Sequence, residues 1–239
     1  MLILKRFLLL GAVFAIFPVM LMGQTRPGVT PGNQDMTVEQ SYLQESVELM
    51  IIREQSRAES RDMKLVALEY IGDAIGRGNK GEEIRAALEF LSLEGVLNKT
   101  TENGRVMNNF PDVRARSATY LGQLGTAEAK NALIRMVAVD NEPMVLTEAI
   151  KSLGAIGLND NNDALNAITM TINRFNSLHP DNLMALSAVE AFEKLSAAGN
   201  AMRDPAVIQT LMRISEGNYI RPVQERARAV LDSIRKNAE

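Results

Sequence analysis

Apolar and polar positions along this chain follow a pattern that returns five times. Segments opening at Met63-Lys64, Val113-Arg114, Met144-Val145, Leu183-Met184 and Pro222-Val223 each carry a small residue at one offset and a bulky apolar residue four positions later. The small residues are Ala67, Ser117, Ala149, Ala188 and Ala227, and the bulky ones are Ile71, Leu121, Leu153, Phe192 and Leu231. Residues four apart share one face of an α-helix, so each segment is a helix with a buried stripe. Successive copies lie 50, 32, 39 and 39 residues apart. Periods in this range mark helix pairs that bury their apolar faces on their neighbours.

A second helix precedes each of the last three copies. Its stripe superposes at a 39-residue interval as Ala129, Ile168 and Val207, then Leu133, Ile172 and Leu211, then Met136, Phe175 and Ile214. Those rows are i, i+4 and i+7 of one face and are expected to be buried. Helix pairs therefore read as 38–56 with 60–76, 81–94 with 112–124, 127–139 with 142–156, 161–178 with 181–197, and 204–216 with 221–237. Thr37 and Gln40 fit a capping box at the first helix, followed by an apolar stripe of Val38, Tyr42, Val47, Met50 and Ile51. Ser56 with Glu59 fits a second box, marking the next start, and Gly76, Gly125, Gly157 and Gly199 stand where left-handed C-caps are expected.

The 50-residue interval holds an insertion, GVLNKTTENGRVMNNF, within about residues 95–110. Asn103-Gly104 between short runs containing Leu97 and Val106 is a strong hairpin signal. A lone two-stranded hairpin is marginal in water, so this one must rest on the helices or on a partner. It is either an ordered surface loop or an edge offered to a partner.

The N-terminus has a different composition. Lys5-Arg6, an apolar run from Phe7 to Met22 and Gly23 before Gln24 have the layout of a signal peptide, so residues 1–23 are expected to be removed. The alternative is retention of that run as a membrane anchor, since it approaches the roughly 18 apolar residues of a spanning helix. Residues 24–36 hold prolines and glycines with little to bury and read as a flexible linker. The solenoid would span 37–237, with a tail at 238–239. Removing the leader's two basic residues from the chain's 26 leaves 24 against 29 acidic residues. That balance offers no surplus to neutralise a phosphate backbone, so nucleic acid is not an expected partner. The absence of cysteine excludes disulfides and lipid attachment to a thiol.

Asp112-Val113-Arg114 with Leu121-Gly122, and Asp140 to Val145 with Leu153-Gly154, resemble HEAT repeats of the short bacterial kind also found in phycobilisome-lyase-like proteins. The resemblance covers roughly residues 60–237. It implies an all-α fold, a right-handed α-solenoid of about five HEAT-like helix pairs with one small β-hairpin insertion, in which the second helices line the concave side. It also implies a basic residue at each second-helix start, with an acidic residue about six positions earlier forming a ladder between repeats. The basic position is Lys64 and Arg114, then Leu146, Ala185 and Gln224, while the acidic one is found only as Asp140, so no continuous ladder is expected.

Exposed positions placed by that resemblance fall in rows: Val66, Arg116, Glu148, Ser187 and Arg226; Glu69, Thr119, Lys151, Glu190 and Ala229; Asp73, Gln123, Ala155, Lys194 and Ser233. Their mixed signs fit another protein or peptide as partner better than a polyion. Tyr70 and Tyr120 share one repeat position and are either anchors for a partner or packing between repeats. With the hairpin, Tyr70, Arg116, Tyr120, Gln123 and Lys151 form the expected recognition surface. The basic terminal helix, with Arg221, Arg226, Arg228, Arg235 and Lys236, is the rival location and has the polar character of a capping unit.

Catalytic constellations find little support. One histidine, His179, cannot make a multi-histidine metal site, and Ser233 with Lys236 has a nucleophile spacing but no supporting motif. Asp160, Asn161, Asn162 and Asp163 lack the glycine and distal glutamate of a calcium loop and are expected to cap a helix. Arg135, Arg174 and Arg213 recur at 39 and 39 residues, where a cation opposes the negative end of its helix. No cofactor is expected. The leading expectation is a non-catalytic, exported, periplasmic scaffold or assembly factor with no membrane insertion after cleavage. The alternatives are a lyase-like enzyme on the same repeats and a membrane-tethered spacer.

Overall fold

A computed structural model describes residues 37–176, 180–197 and 204–236. The expected signal peptide, linker and tail, together with His179 and Gly199, lie outside the described residues. Among them are ten α-helices: α1 (Val38–Arg57), α2 (Arg61–Gly76), α3 (Glu82–Ser92), α4 (Pro111–Leu124), α5 (Ala127–Val139), α6 (Pro143–Ile156), α7 (Asp163–Asn176), α8 (Asn182–Ala197), α9 (Pro205–Glu216) and α10 (Arg221–Lys236). Consecutive helices pack as five pairs. Each pair stacks on the next, so that α1, α3, α5, α7 and α9 form one layer and α2, α4, α6, α8 and α10 the other. This is an all-α solenoid with its core between the layers.

The repeated stripe accounts for that core. Ala67, Ser117, Ala149, Ala188 and Ala227 are all fully buried, because the neighbouring helix passes over the small position. Ile71, Leu121, Leu153 and Phe192 are buried likewise, whereas Leu231 is half-buried at the end of the array. Of the first-helix rows, only Phe175 is half-buried, lying beneath the Arg174 guanidinium at 5.2 Å. Successive second helices approach closely at glycine. A Cβ on Gly72 would lie 2.4 Å from the Tyr120 hydroxyl, one on Gly122 2.7 Å from Ser152 Oγ, and one on Gly154 2.8 Å from Ala191.

Two of the expected helix-terminal signals lie elsewhere in the structure. Ser56 does not cap α2: it lies in the last turn of α1, where its hydroxyl donates to the Arg53 carbonyl, and α2 begins at Arg61 after Ser60. Gly76 remains helical, and Gly78 takes the left-handed turn at φ 89°, while Gly125 and Gly157 do end their helices at φ 71° and 72°. The apolar stripe on α1 is largely open. Val38, Tyr42, Val47 and Met50 are exposed, and Ile52 with Leu49 makes the contact to α2 and α3. The Thr37–Gln40 capping box is present.

Candidate surface for partner recognition

The insertion forms the hairpin that its turn residues suggest. Thr101–Glu102 (β1) pairs antiparallel with Arg105–Val106 (β2), and Asn103 and Gly104 both have positive φ, as a tight primed turn requires. Both strands are exposed, so the hairpin is stable only through its root. Asn108 supplies that root. Its amide nitrogen donates to Glu94 Oε1 at 2.7 Å and to the Asn98 carbonyl at 2.6 Å, and its oxygen accepts from the Thr100 amide at 2.8 Å. Gly95 allows the close approach: a Cβ there would lie 2.3 Å from the Asn108 carbonyl, and its φ is 71°.

Beneath the root lies a buried polar network that sequence reasoning identified only in part. Lys64, 2% exposed, pairs with Glu94 at 3.2 Å and donates to the Ser56 carbonyl at 3.1 Å. Arg114, 1% exposed, pairs with Asp140 at 2.6 Å and donates to the Glu94 carbonyl and to Asn109 Oδ1. Asp140 in turn accepts from the amides of Asn141 and Glu142, in the turn between α5 and α6. The expected lone acidic position is therefore joined by Glu94. The insertion after residue 94 pushes Glu94 far upstream of Arg114 and hides the correspondence. Two rungs form, Lys64–Glu94 and Arg114–Asp140. The next positions, Leu146 and Ala185, are fully buried apolar residues and end the ladder.

Two clefts flank the hairpin root at the edge shared by the α1–α2, α3–α4 and α5–α6 connections. One, of about 440 Å³, lies between Arg57 to Glu59, Lys64 and Phe90 on one side and Leu97, Lys99 and Met107 on the other. The second, of about 330 Å³, lies between Val96 and Leu97 and the turn at Asp140 to Glu142. Leu97, Val106 and Met107 stand exposed on the hairpin beside them.

The structure divides the surface expected from sequence. Arg116 sits 6.0 Å above the Tyr120 ring and 3.9 Å from Glu69, and Lys151 lies 3.6 Å from Glu148, which also accepts from Thr119. These groups form a mixed-charge lattice across α2, α4 and α6. Tyr120 is half-buried over Gly72, so its first task is packing between repeats. Tyr70, which follows no earlier second helix, is 36% exposed. Gln123 lies twelve residues along α4 from Pro111, or about 18 Å from the hairpin edge. There Lys80 donates to the Gln123 and Leu124 carbonyls. The hairpin and Gln123 are thus at opposite edges.

Other candidates are engaged internally. Arg174 and Arg213 stand in the last turns of α7 and α9, as expected, whereas Arg135 lies outside the last turn of α5. Each reaches the preceding repeat: Arg135 to Glu89, Arg174 to the carbonyls of Val137, Ala138 and Asp140, and Arg213 to Asn173. Asp163 accepts from its neighbour's amide and Asn159 from that of Leu165, but Asp160 and Asp163 also converge on Lys130 Nζ, at 2.6 Å each. Burial of Lys130 opposes its charge, yet the hydrogen bonds and charges of both aspartates outweigh this and raise its pKa. The Lys130 hydrogen bond lowers that of Asp160. In the rival basic helix, Arg226 pairs with Glu193 and Arg228 donates to the Ser215 carbonyl. Among the described residues no three His, Cys, Asp or Glu side chains are grouped to hold a metal ion, and no helix is long and apolar enough to cross a membrane.

Residues 105–174, from β2 through α7, match the family model for HEAT repeats. Together with the stacked helix pairs, this supports a HEAT-repeat protein. No curated protein matches the chain. The matched stretch contains the Arg114–Asp140 rung and the glycine contacts at Gly122 and Gly154, where successive repeats of this chain join.

Proposed function

We propose that this HEAT-repeat protein is a non-catalytic scaffold or assembly factor that is exported, acts in the periplasm and binds another protein there. HEAT repeats commonly mediate protein–protein contacts, which supports the general role. The observation that carries the location is the hairpin: an insertion that displays exposed Leu97, Val106 and Met107 between two clefts, on a root of buried hydrogen bonds. Insertions in repeat proteins often build the binding face, and a pre-ordered apolar edge reduces the entropy lost on association. The partner rests on this edge and extends over the lattice of Arg116 and Lys151.

The composition of residues 1–23 supports export. N-terminal sequencing of the native protein should give a start near Gln24, and intact Met1 in the membrane fraction would favour a tethered form. For binding, Val106→Glu with Met107→Glu should abolish recovery of the partner in co-purification from envelope extract, with the circular dichroism unchanged. Undiminished recovery would exclude the hairpin edge.

A further inference from the structure

The two ends of the solenoid differ in a way that the repeat register makes measurable. Four positions before each small residue stand Met63, Val113, Val145, Met184 and Val223, and the last four are at most 2% exposed while Met63 is 46% exposed. At the position of Tyr70, its later counterparts Ser152, Ala191 and Val230 are also buried. In α4, α6, α8 and α10 these rows are covered by the preceding repeat; in α2 they are open. α1 adds a seam of its own. Leu43, Val47 and Met50 are 65%, 50% and 55% exposed and are spaced four and three apart, with Gln40 and Glu54 continuing the row as polar ends. At the other end α10 exposes Arg228, Asp232, Arg235 and Lys236 and no large apolar residue. Terminal repeats need polar outer faces for solubility, and only the C-terminal end has one.

We propose that the N-terminal end docks on the same end of a second copy of this chain, α1 against α1′ in antiparallel register. The charges on α1 single out that occupant. Beside the seam run Glu39, Ser46 and Arg53, one heptad apart, and in antiparallel coiled packing these flanking positions face their own kind. A two-fold axis near Val47 sets Leu43 on Met50′, Val47 on Val47′, Glu39 on Arg53′ and Gln40 on Glu54′. Glu39, Arg53 and Glu54 enter no ion pair among the described residues, so they are available for it. Because both surfaces are the same, the contact is isologous and closes as a dimer. Docking on the C-terminal end would instead propagate a filament, and α10 offers the seam no exposed large apolar residue. The dimer would carry two outward-running arrays, each with its own hairpin edge, whichever face of the array meets a partner.

The test is sedimentation equilibrium on the protein purified with its native N-terminus, over a series of concentrations. The wild type should be a monomer–dimer system. Val47→Glu sets two carboxylates together on the axis and should weaken the dimer by about 100-fold. Glu39→Arg and Arg53→Glu should each weaken it, and the double exchange should restore it, because the facing pair is then rebuilt with signs reversed. A monomer at every concentration refutes the proposal, since another segment or another protein then covers this end. So does a dimer indifferent to Val47→Glu, or one in which the charge exchange restores nothing. Circular dichroism of each variant separates weakened association from unfolding.

Discussion

Substitution of Asp140 by alanine is the most informative single change in the buried network. Asp140 is 2% exposed and does two things: it pairs with Arg114, itself 1% exposed, and it accepts from two amides in the turn before α6. Removing one partner of a buried ion pair costs about 3 to 5 kcal/mol, because the remaining charge stays desolvated. Loss of the two turn hydrogen bonds adds about 1 kcal/mol. Arg114 keeps the Glu94 carbonyl and Asn109 Oδ1, so the lower part of the range applies, and the expected total is about 4 kcal/mol. For a chain of this size that is a fall in Tm of about 8 to 16 °C. Asp140→Asn keeps an acceptor for the turn amides and isolates the charge. The double variant Arg114→Leu with Asp140→Asn should recover at least half of the loss, because the next repeat already places Leu146, fully buried, at the Arg114 position. Urea melts followed by circular dichroism and by local hydrogen exchange measure both effects. If Asp140→Ala costs less than about 1 kcal/mol, or the double variant is merely additive, the pair is not a buried rung and the reasoning fails.

Other consequences follow from the same geometry. Leu153→Ala should cost about 2 to 5 kcal/mol in denaturant melts, while Lys151→Ala, two residues away and exposed, should stay within about 0.5 kcal/mol; equal effects would overturn the face assignment. Gly95→Ala should loosen the hairpin root, seen as faster amide exchange at residues 100–107 with the rest of α4 protected, since its Cβ would meet the Asn108 carbonyl. Asp160 has a folded-state pKa below its ordinary value of 3.8, so its contribution is complete above that value and is lost as pH falls through the lower, folded one. Lys130→Met should therefore flatten the fall in Tm between roughly pH 5 and pH 2. An unchanged acid profile would show that Lys130 does not hold Asp160.

The period of small and bulky residues was legible because it is a packing requirement: each helix leaves room for the next at Ala67, Ser117, Ala149 and their counterparts. The hairpin was legible from Asn103-Gly104, whose backbone angles few other pairs adopt. The partner of Lys64 was not, because an insertion broke the register between Glu94 and the second helix it precedes. Tyr120 could be read as anchor or as packing, and only the approach to Gly72 distinguishes the two. The exposure of the stripe on α1 was not legible, for a general reason. Helical periodicity marks an apolar face but says nothing of whether a neighbour covers it, and at the first repeat none does among the described residues. The charges that reach across repeats, Lys130 to Asp160 and Arg174 to the end of α5, join residues thirty or more apart, and no local spacing signals them.

Recognition at the hairpin edge is tested most directly by site-specific photo-crosslinking in living cells. A photoreactive residue at Met107 should give a discrete adduct with a second polypeptide, one at Lys151 a weaker adduct with the same polypeptide, and one at Arg235 none. An adduct at Arg235 with Met107 silent would place binding on the terminal helix and contradict the account.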